Sequence, residues 1–201
     1  MTTSSEGRDV AAVGSGAERG ALRVYESVEQ LADGAATLMV ERLERLEGRL
    51  AVAVSGGSTP APLFRRLATE PYLHRLPWSR VHWFWCDERL VPPNDPDSNF
   101  RLLRETMLDA APVPKENVHP VRTDLQTPEL AAQNYAEQLQ RYYGANELDP
   151  LRPLFDLIIL GMGDDGHTAS LLPGQPVLEE RRHWTAAVSE GRPQARVTLT
   201  Y

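Results

Sequence analysis

The 201-residue sequence has very little of several residue types that particular chemistries require. It contains one cysteine, Cys86, which excludes an internal disulfide and favours a reducing, cytoplasmic compartment. Cys86 ends the run Trp83–Cys86, which is more typical of a buried strand than of a nucleophile's surroundings. Only one of the 21 basic residues is a lysine, Lys115, and it lies in a proline-rich connector. This scarcity argues against Schiff-base catalysis.

The sequence also lacks the features of membrane and nucleic-acid-binding proteins. No apolar run approaches the ~18 residues that indicate a membrane-spanning helix, so no membrane partner is expected. The net charge of −7 and the absence of a basic stripe argue against a nucleic-acid partner. Residues 1–20 have no apolar core of a signal peptide and are predicted to form a flexible leader. The hydrophobic content of 41% suits one domain, over residues 21–201.

From residue 21 onward the sequence pattern alternates between strands and helices. Strands are predicted over residues 22–25, 50–54, 81–85, 155–160, 185–188 and 196–201. Helices are predicted to begin after four capping residues, Ser27, Thr59, Ser98 and Thr127. This alternation predicts a single α/β domain with a mainly parallel, Rossmann-like sheet and helices on both faces. In such a sheet, the loops that follow the strands meet at one crevice.

The segment Leu160–Ser170 carries the most chemical information. It follows the apolar run Phe155–Leu160, which is interpreted as a buried central strand, and three glycines then turn the chain before His167. A histidine at the carboxyl end of a strand is well suited to move protons near neutral pH. A purely structural turn, with His167 as a packing residue, is the alternative.

The glycines of this turn also match a dinucleotide-binding fingerprint in form. Asp164 and Asp165 would, however, place two carboxylates where a pyrophosphate should lie, and like charges repel. The motif also comes late in the chain, and Glu179 and Glu180 precede the next predicted strand instead of ending it. Dinucleotide binding is therefore disfavoured.

Two further loops are expected at the same crevice. Ser55–Thr59 is a glycine-rich turn before a helix, where backbone N–H groups favour a small phosphorylated molecule, although an ordinary tight turn has the same pattern. It lacks the lysine of a nucleotide P-loop. Asp87 and Arg89 follow an aromatic strand, where the arginine could anchor an oxyanion and the aspartate could orient hydroxyls or a base. A surface ion pair is the alternative for these two residues.

The remaining histidines show no metal-ligand spacing. They are His74, His82, His119 and His183. The sequence has no nucleophile elbow either. A water molecule activated by a histidine base is therefore the simplest chemistry for the crevice, and no metal and no cofactor are expected.

Several motifs, in this order along the chain, strongly resemble the 6-phosphogluconolactonase family. They are Ser55–Pro60, Trp85–Arg89 with Asp97–Asn99, Leu160–Leu171 and Arg196–Thr200. The resemblance covers residues 22–201 and implies a fold shared with glucosamine-6-phosphate deaminases and related sugar-phosphate isomerases. It also implies hydrolysis of a small-molecule phosphorylated sugar lactone, 6-phospho-D-glucono-1,5-lactone, to 6-phospho-D-gluconate. That reaction belongs to the oxidative branch of the pentose phosphate pathway.

The resemblance implies a role for each matching residue. His167 would activate water and then protonate the departing ring oxygen, Arg89 would stabilise the anionic substrate or the oxyanion, and Asp87 would order the site. The substrate and its phosphate would be bound by the other matching residues, which are Ser55, Gly56, Gly57, Ser58, Thr59, Asn99, Gly163, Asp165 and Gly166.

The sequence departs from the family pattern at its carboxyl end, where members continue through another strand, helices and a basic residue that assists phosphate binding. The sequence is therefore expected either to be a truncated form that lacks a strand-helix unit, or to use an arginine such as Arg192 in place of that phosphate-binding residue. The nearest alternative function is an amino-sugar-phosphate deaminase or isomerase, which needs a carboxylate shortly after the histidine. No acidic residue follows His167 before Glu179, which favours hydrolysis. An inactive sugar-phosphate-binding fragment is the other alternative.

Overall fold

The structure, a computed structural model, describes residues 8–13 and 20–201. Its strands and α-helices are, in chain order, β1 (Arg8–Val13), β2 (Gly20–Val24), α1 (Val28–Glu44), β3 (Leu50–Val54), α2 (Ala61–Leu67), α3 (Tyr72–Arg75), β4 (Val81–Trp85), β5 (Asp87–Arg89), α4 (Asn99–Leu103), α5 (Pro128–Tyr143), β6 (Leu157–Ile159), β7 (Thr185–Val188) and β8 (Arg196–Leu199). A π-helical turn, Arg104–Leu108, continues α4. Two 3-10 turns cover Lys115–Asn117 and Pro176–Glu179.

The centre of the domain is a parallel sheet with the strand order β4-β3-β6. All five residues of β3 are buried. Because successive side chains of a strand point to opposite faces, this burial means that both faces of β3 are covered. Side chains from α1, α2 and α5 belong to the same apolar core as β3 and β4. The predicted α/β fold class is confirmed.

A second sheet, antiparallel, has the strand order β5-β8-β7. Its first strand corrects the sequence prediction, because Asp87–Arg89 was expected to be a loop and instead pairs with β8. Three charged residues in a row do not indicate a strand, and their partner strand lies about a hundred residues further along the chain. Cys86 alone separates β4 from β5, so the chain passes directly from one sheet to the other.

Three of the four predicted helix caps are confirmed. The hydroxyls of Ser27, Ser98 and Thr127 each accept a hydrogen bond from the backbone N–H three residues further on. Thr59 is wrong as a cap, because α2 begins at Ala61 after Pro60 and has no side-chain cap. The exposed side chain of Thr59 is therefore available to the crevice described below.

The strand before the histidine turn differs from its prediction in position. Within the described residues β6 pairs only with β3, so it lies at an edge of the parallel sheet instead of at its centre. Ile158, in the middle of β6, is 47% exposed. An apolar run indicates a strand, but it does not reveal which place the strand takes in the sheet.

Part of the predicted leader is a strand: β1 pairs with β2 in antiparallel register, with Arg8 opposite Val24 and Val13 opposite Gly20. The segment contains Val10 and Val13, and β-branched residues favour extended backbone. The rest of the predicted leader, residues 1–7 and 14–19, lies outside the described residues. None of the described helices combines the length and apolar composition needed to cross a bilayer.

Candidate active site

A crevice of about 230 Å³ opens at the carboxyl ends of β3 and β6, beside β5 and β8. The structure brings ten of the twelve predicted site residues to its lining. These are Ser55, Gly56, Gly57, Ser58, Thr59, Asp87, Arg89, Asn99, Gly163 and His167. Asp165 and Gly166 are outside the lining. The lining also includes residues that were not predicted as site residues, namely Pro60, Gly161, Met162, Ala169 and Arg196.

The glycine-rich turn after β3 forms one wall of the crevice. The N–H of Ser55 donates to the carbonyl of Ile159 at 3.0 Å, which ties this turn to the end of β6. Gly56 lies against the side chain of Asn99, and a Cβ at position 56 would overlap the Asn99 amide. Gly57 has φ +99°, in the region that favours glycine. The two glycines therefore let the backbone approach the crevice closely and leave the Ser58 and Thr59 side chains exposed.

The histidine turn forms the opposite wall, and Asp165 holds its imidazole. One oxygen of Asp165 contacts His167 Nδ1, and the other accepts a hydrogen bond from Arg192 Nη2 at 2.8 Å. The contact with His167, followed by the Arg192 hydrogen bond, lowers the pKa of the Asp165 carboxyl well below its usual range. An ionised carboxylate can only accept, so Nδ1 carries the proton and Nε2 is the basic nitrogen. Asp165 lies outside the lining and is connected to the crevice through His167.

Gly163 and Gly166 shape this turn in different ways. The imidazole of His167 packs on Gly163, where an added Cβ would overlap Cε1 and Nδ1 of the ring. The N–H of Gly163 donates to the carbonyl of His167 at 2.8 Å, and the N–H of Gly166 donates to the carbonyl of Gly163 at 2.9 Å. Gly166 has φ +83° and so acts as a backbone turn residue. The close packing on Gly163 fixes the ring at the crevice.

Asp87 links the elements that surround the crevice floor. Its Oδ2 accepts from Ser170 Oγ at 2.7 Å and lies 3.7 Å from Arg196 Nη1. Asn99 Nδ2 donates to both the carbonyl and the Oδ1 of Asp87, at 2.9 and 3.2 Å. Asp87 is only 5% exposed. The carboxylate therefore links β8, α4 and the histidine turn to β5.

Glu88 is a buried carboxylate behind the lining that was not predicted as a site residue. It accepts hydrogen bonds from the backbone N–H groups of Arg89, Asn99 and Phe100 at 2.7–2.8 Å, and from Ser98 Oγ at 3.2 Å. Burial raises the pKa of the Glu88 carboxyl. The four donors show how a carboxylate can be buried here, and they close the proline-rich loop so that Arg89 and Asn99 face the crevice. Nothing in the local sequence distinguishes Glu88 from an exposed acid.

Arg89 and Arg196 supply the positive charge of the crevice lining. Arg89 donates from Nη1 to the carbonyl of Asp97. Burial, followed by the nearby charge of Arg89, lowers the pKa of Arg196. Arg192, the predicted substitute for a further basic residue, is not in the lining and contacts Asp165 instead.

The single cysteine and the half-buried histidine pair do not line the crevice. Cys86 is fully buried, and this burial raises the pKa of its thiol to about 12, which agrees with its interpretation as a packing residue. His82 and His119 form a hydrogen-bonded pair, with 2.9 Å between Nδ1 and Nε2. Across the part of the chain that the structure describes, His, Cys, Asp and Glu side chains nowhere form a group of three or more that could hold a metal ion.

Comparisons with known proteins show which family this chain resembles. The family model described as glucosamine-6-phosphate isomerases/6-phosphogluconolactonase matches residues 26–201. A 6-phosphogluconolactonase of Nostoc sp. is 42% identical over 156 residues, which is 77% of this chain and 62% of that protein. The 6-phosphogluconolactonase 3, chloroplastic, of Arabidopsis thaliana is 35% identical, over 92% of this chain and 59% of that protein.

A solved structure is also similar. The crystal structure of 6-phosphogluconolactonase from Thermotoga maritima superposes with a TM-score of 0.70 at 34% identity, over 86% of this chain and 72% of that chain. The chain spans about three fifths of the length of the curated relatives, 62% for Nostoc and 59% for Arabidopsis. The match to the family model extends over most of the sequence. The chain therefore belongs to the glucosamine-6-phosphate isomerase/6-phosphogluconolactonase family.

Proposed function

We propose that this chain hydrolyses 6-phospho-D-glucono-1,5-lactone to 6-phospho-D-gluconate, with His167 as the base that activates water. One observation carries the proposal: an imidazole whose Nδ1 is held by Asp165 lines the same crevice as a glycine-rich turn and Arg89. The names of the Nostoc, Arabidopsis and Thermotoga relatives, all 6-phosphogluconolactonases, support the choice of substrate.

The proposed reaction has two proton transfers through one nitrogen. Nε2 of His167 takes a proton from water while the water oxygen bonds to the lactone carbonyl carbon, and the carbonyl oxygen becomes an oxyanion. The oxyanion then re-forms the carbonyl, the bond from this carbon to the ring oxygen breaks, and the imidazolium returns its proton to the ring oxygen. The resulting carboxylic acid loses a proton to solvent. Asp165 stabilises the imidazolium between the two steps, because a carboxylate beside a cation is favourable.

The remaining predicted residues would bind the substrate. The backbone of Gly56 and Gly57 and the hydroxyls of Ser58 and Thr59 provide donors for the phosphate, with Ser55 at the base of the turn. Arg89 would stabilise the oxyanion, because the attraction between a fixed cation and the oxygen increases as negative charge develops on that oxygen. Asn99 and Gly163 would define the walls, while Asp165 and Gly166 would act through the position of His167.

The alternative amino-sugar-phosphate chemistry needs a free carboxylate to abstract a proton from carbon. Among the described residues that line the crevice, Asp87 is the one with a carboxylate. It already accepts hydrogen bonds from Ser170 and Asn99 and lies beside Arg196. A base in that many contacts is poorly placed to accept a further proton. This arrangement favours hydrolysis over deamination or isomerisation.

We also propose a cytoplasmic location, which the single cysteine supports. The name of the Arabidopsis relative places that protein in the chloroplast. Fractionation of the source cells, followed by immunodetection, tests the proposal. Enrichment of the protein outside the cytoplasmic fraction would contradict it.

The function is tested by supplying freshly generated lactone to the purified protein. We expect lactone loss and acid release faster than the spontaneous opening measured without protein. Glucosamine 6-phosphate is supplied in parallel, and ammonia release there would instead support the deaminase. Failure to accelerate either reaction, with retained binding of 6-phosphogluconate, would indicate a sugar-phosphate-binding protein.

A further inference from the structure

Two arginines face each other across the strands that border the crevice. The antiparallel register of β5 and β8 pairs Arg89 directly with Arg196. Side chains at directly opposed positions have Cβ atoms about 4.5–5.5 Å apart, and like charges there destabilise the sheet. An anion that lies close to both guanidinium groups would offset this repulsion.

The surrounding groups leave this pair partly unsatisfied. Nε of Arg89 and Nε of Arg196 are both buried without a hydrogen-bond partner among the described residues. The Arg196 side chain is only 11% exposed. Its Nη1 is 3.4 Å from Ser170 Oγ and 3.7 Å from Asp87 Oδ2, so one carboxylate is shared between β5 and β8. A buried N–H without an acceptor is costly, and an anionic ligand would supply the missing acceptor.

We propose that Arg196 acts with Arg89 as a two-guanidinium cradle for an oxyanion of the substrate. The inference deepens the proposed function and rests on it for the identity of the substrate. Two groups of that substrate have the required chemistry, the phosphate and the oxygen that gains charge at the lactone carbon. The phosphate presents paired oxygens that planar guanidinium groups bind in parallel, and the oxyanion presents one oxygen that can accept hydrogen bonds from both arginines.

Arg196 is held in place for this role by the network beneath it. Ser170 and Asp87 contact its Nη1 from the side of β5 and the histidine turn, and the β8 backbone is paired on both sides, with β5 and with β7. The guanidinium is therefore fixed before a ligand arrives, which reduces the entropy lost on binding. A lysine would keep the charge but would lose the planar fork of donors.

The test compares Arg196→Gln and Arg196→Lys with the matched control Arg122→Gln, which removes one exposed charge outside the crevice lining. Binding of inorganic phosphate and of sodium D-gluconate is measured separately by calorimetry. We expect Arg196→Gln to lower the affinity for one of these anions by about 10-fold, because a charge-assisted hydrogen bond is lost. Arg196→Lys should lower the affinity for the same anion less, and Arg122→Gln should leave both affinities unchanged.

The two anions separate the two groups of the substrate. Weaker phosphate binding, with a raised KM, places the phosphate on the cradle. Weaker gluconate binding, with a lowered kcat, places the reacting end there. Wild-type affinity for both anions in Arg196→Gln would overturn the inference. If Arg196→Gln does not fold, Arg196→Lys decides, and wild-type affinities in that folded variant would likewise overturn it. Anion binding that depends on Arg196 without lactone hydrolysis would instead reject the proposed function and leave the cradle in place.

Discussion

The two sheets of this protein are stabilised in opposite ways. The parallel sheet β4-β3-β6 is built from apolar side chains, with Trp83, Phe84 and Trp85 buried in β4. The antiparallel sheet β5-β8-β7 instead buries polar and charged groups, including Asp87, Glu88 and Thr198. The core strands of the parallel sheet supply burial energy and carry the glycine-rich and histidine turns only at their carboxyl ends, whereas the antiparallel sheet orders charged groups around the crevice. Substitutions in the two regions should therefore separate stability from activity.

The largest expected effect concerns the crevice. His167→Ala should lower kcat for lactone hydrolysis by about 10²- to 10⁴-fold, because a positioned general base contributes that much. Unfolding by urea should be nearly unchanged, since the ring lies on Gly163 and not in the core. The rate is measured after subtraction of spontaneous opening, with the exposed His74→Ala as the control. Equal activity in both variants would remove His167 from the mechanism.

The second prediction addresses the parallel sheet. Phe84→Ala should lower the free energy of unfolding by about 3–5 kcal/mol, because it empties a buried site in the core. Phe84 packs on His119, Tyr142 and Phe155, with ring centroids 4.5, 4.9 and 5.6 Å away. Ile158→Ala, in the same sheet but half-exposed, should cost about 1 kcal/mol or less. Urea titration measures the free energy of unfolding of both variants. Similar losses would show that burial in β4 contributes no more to stability than the half-exposed strand β6.

The third prediction tests the crevice at a single atom. Gly163→Ala should reduce kcat by about 10²-fold, because the added Cβ displaces the imidazole by a fraction of its width. Gly161→Ala, in the same turn, adds a Cβ with no atom within 4 Å and should lose far less activity. Comparable losses in both variants would mean that chain flexibility matters more than ring position.

The smallest effect is expected from the hydrogen-bonded pair His82 and His119, which packs against the parallel sheet. Burial lowers the pKa of His119 from 6.5 to about 4. The unfolded chain therefore takes up a proton before the folded protein does, and stability is lost as the pH falls from 6.5 towards 4. We expect a loss of about 1–2 kcal/mol, reduced by partial solvent access.

The matched variant for this pH effect is His119→Phe, which keeps a ring against Phe84 and cannot titrate. Its unfolding free energy should fall less over the same pH range than that of the wild type. Some slope should persist, because burial also lowers the pKa of His82, the hydrogen-bond partner of His119. Identical pH profiles would show that the pair does not contribute.

The sequence predicts well what local physics determines. The bounds of β3, β4 and β7 and the caps Ser27, Ser98 and Thr127 match the structure, since apolar runs and capping hydroxyls act over a few residues. The short helix α3 was missed, because four residues carry too little periodicity.

The candidate site was predictable where motifs mark it and not where pairing decides it. The three expected segments do meet at one crevice. Arg196, however, enters that crevice only because β8 pairs with β5 in one register, and a one-residue slip would point it away. The roles of Glu88 and Asp165 likewise depend on contacts that the folded chain creates. Register between distant strands is the information that the sequence alone does not reveal.

Cys86 is the residue between the two sheets, with no exposed surface. Only a thiolate reacts readily with alkylating reagents. Because the pKa of the Cys86 thiol is about 12, Cys86 should not be labelled while the two sheets remain packed around it. Labelling would therefore report each excursion in which the sheets separate, including openings far smaller than complete unfolding. Because the sequence has one cysteine, the labelling rate of Cys86 measures that opening without an introduced probe.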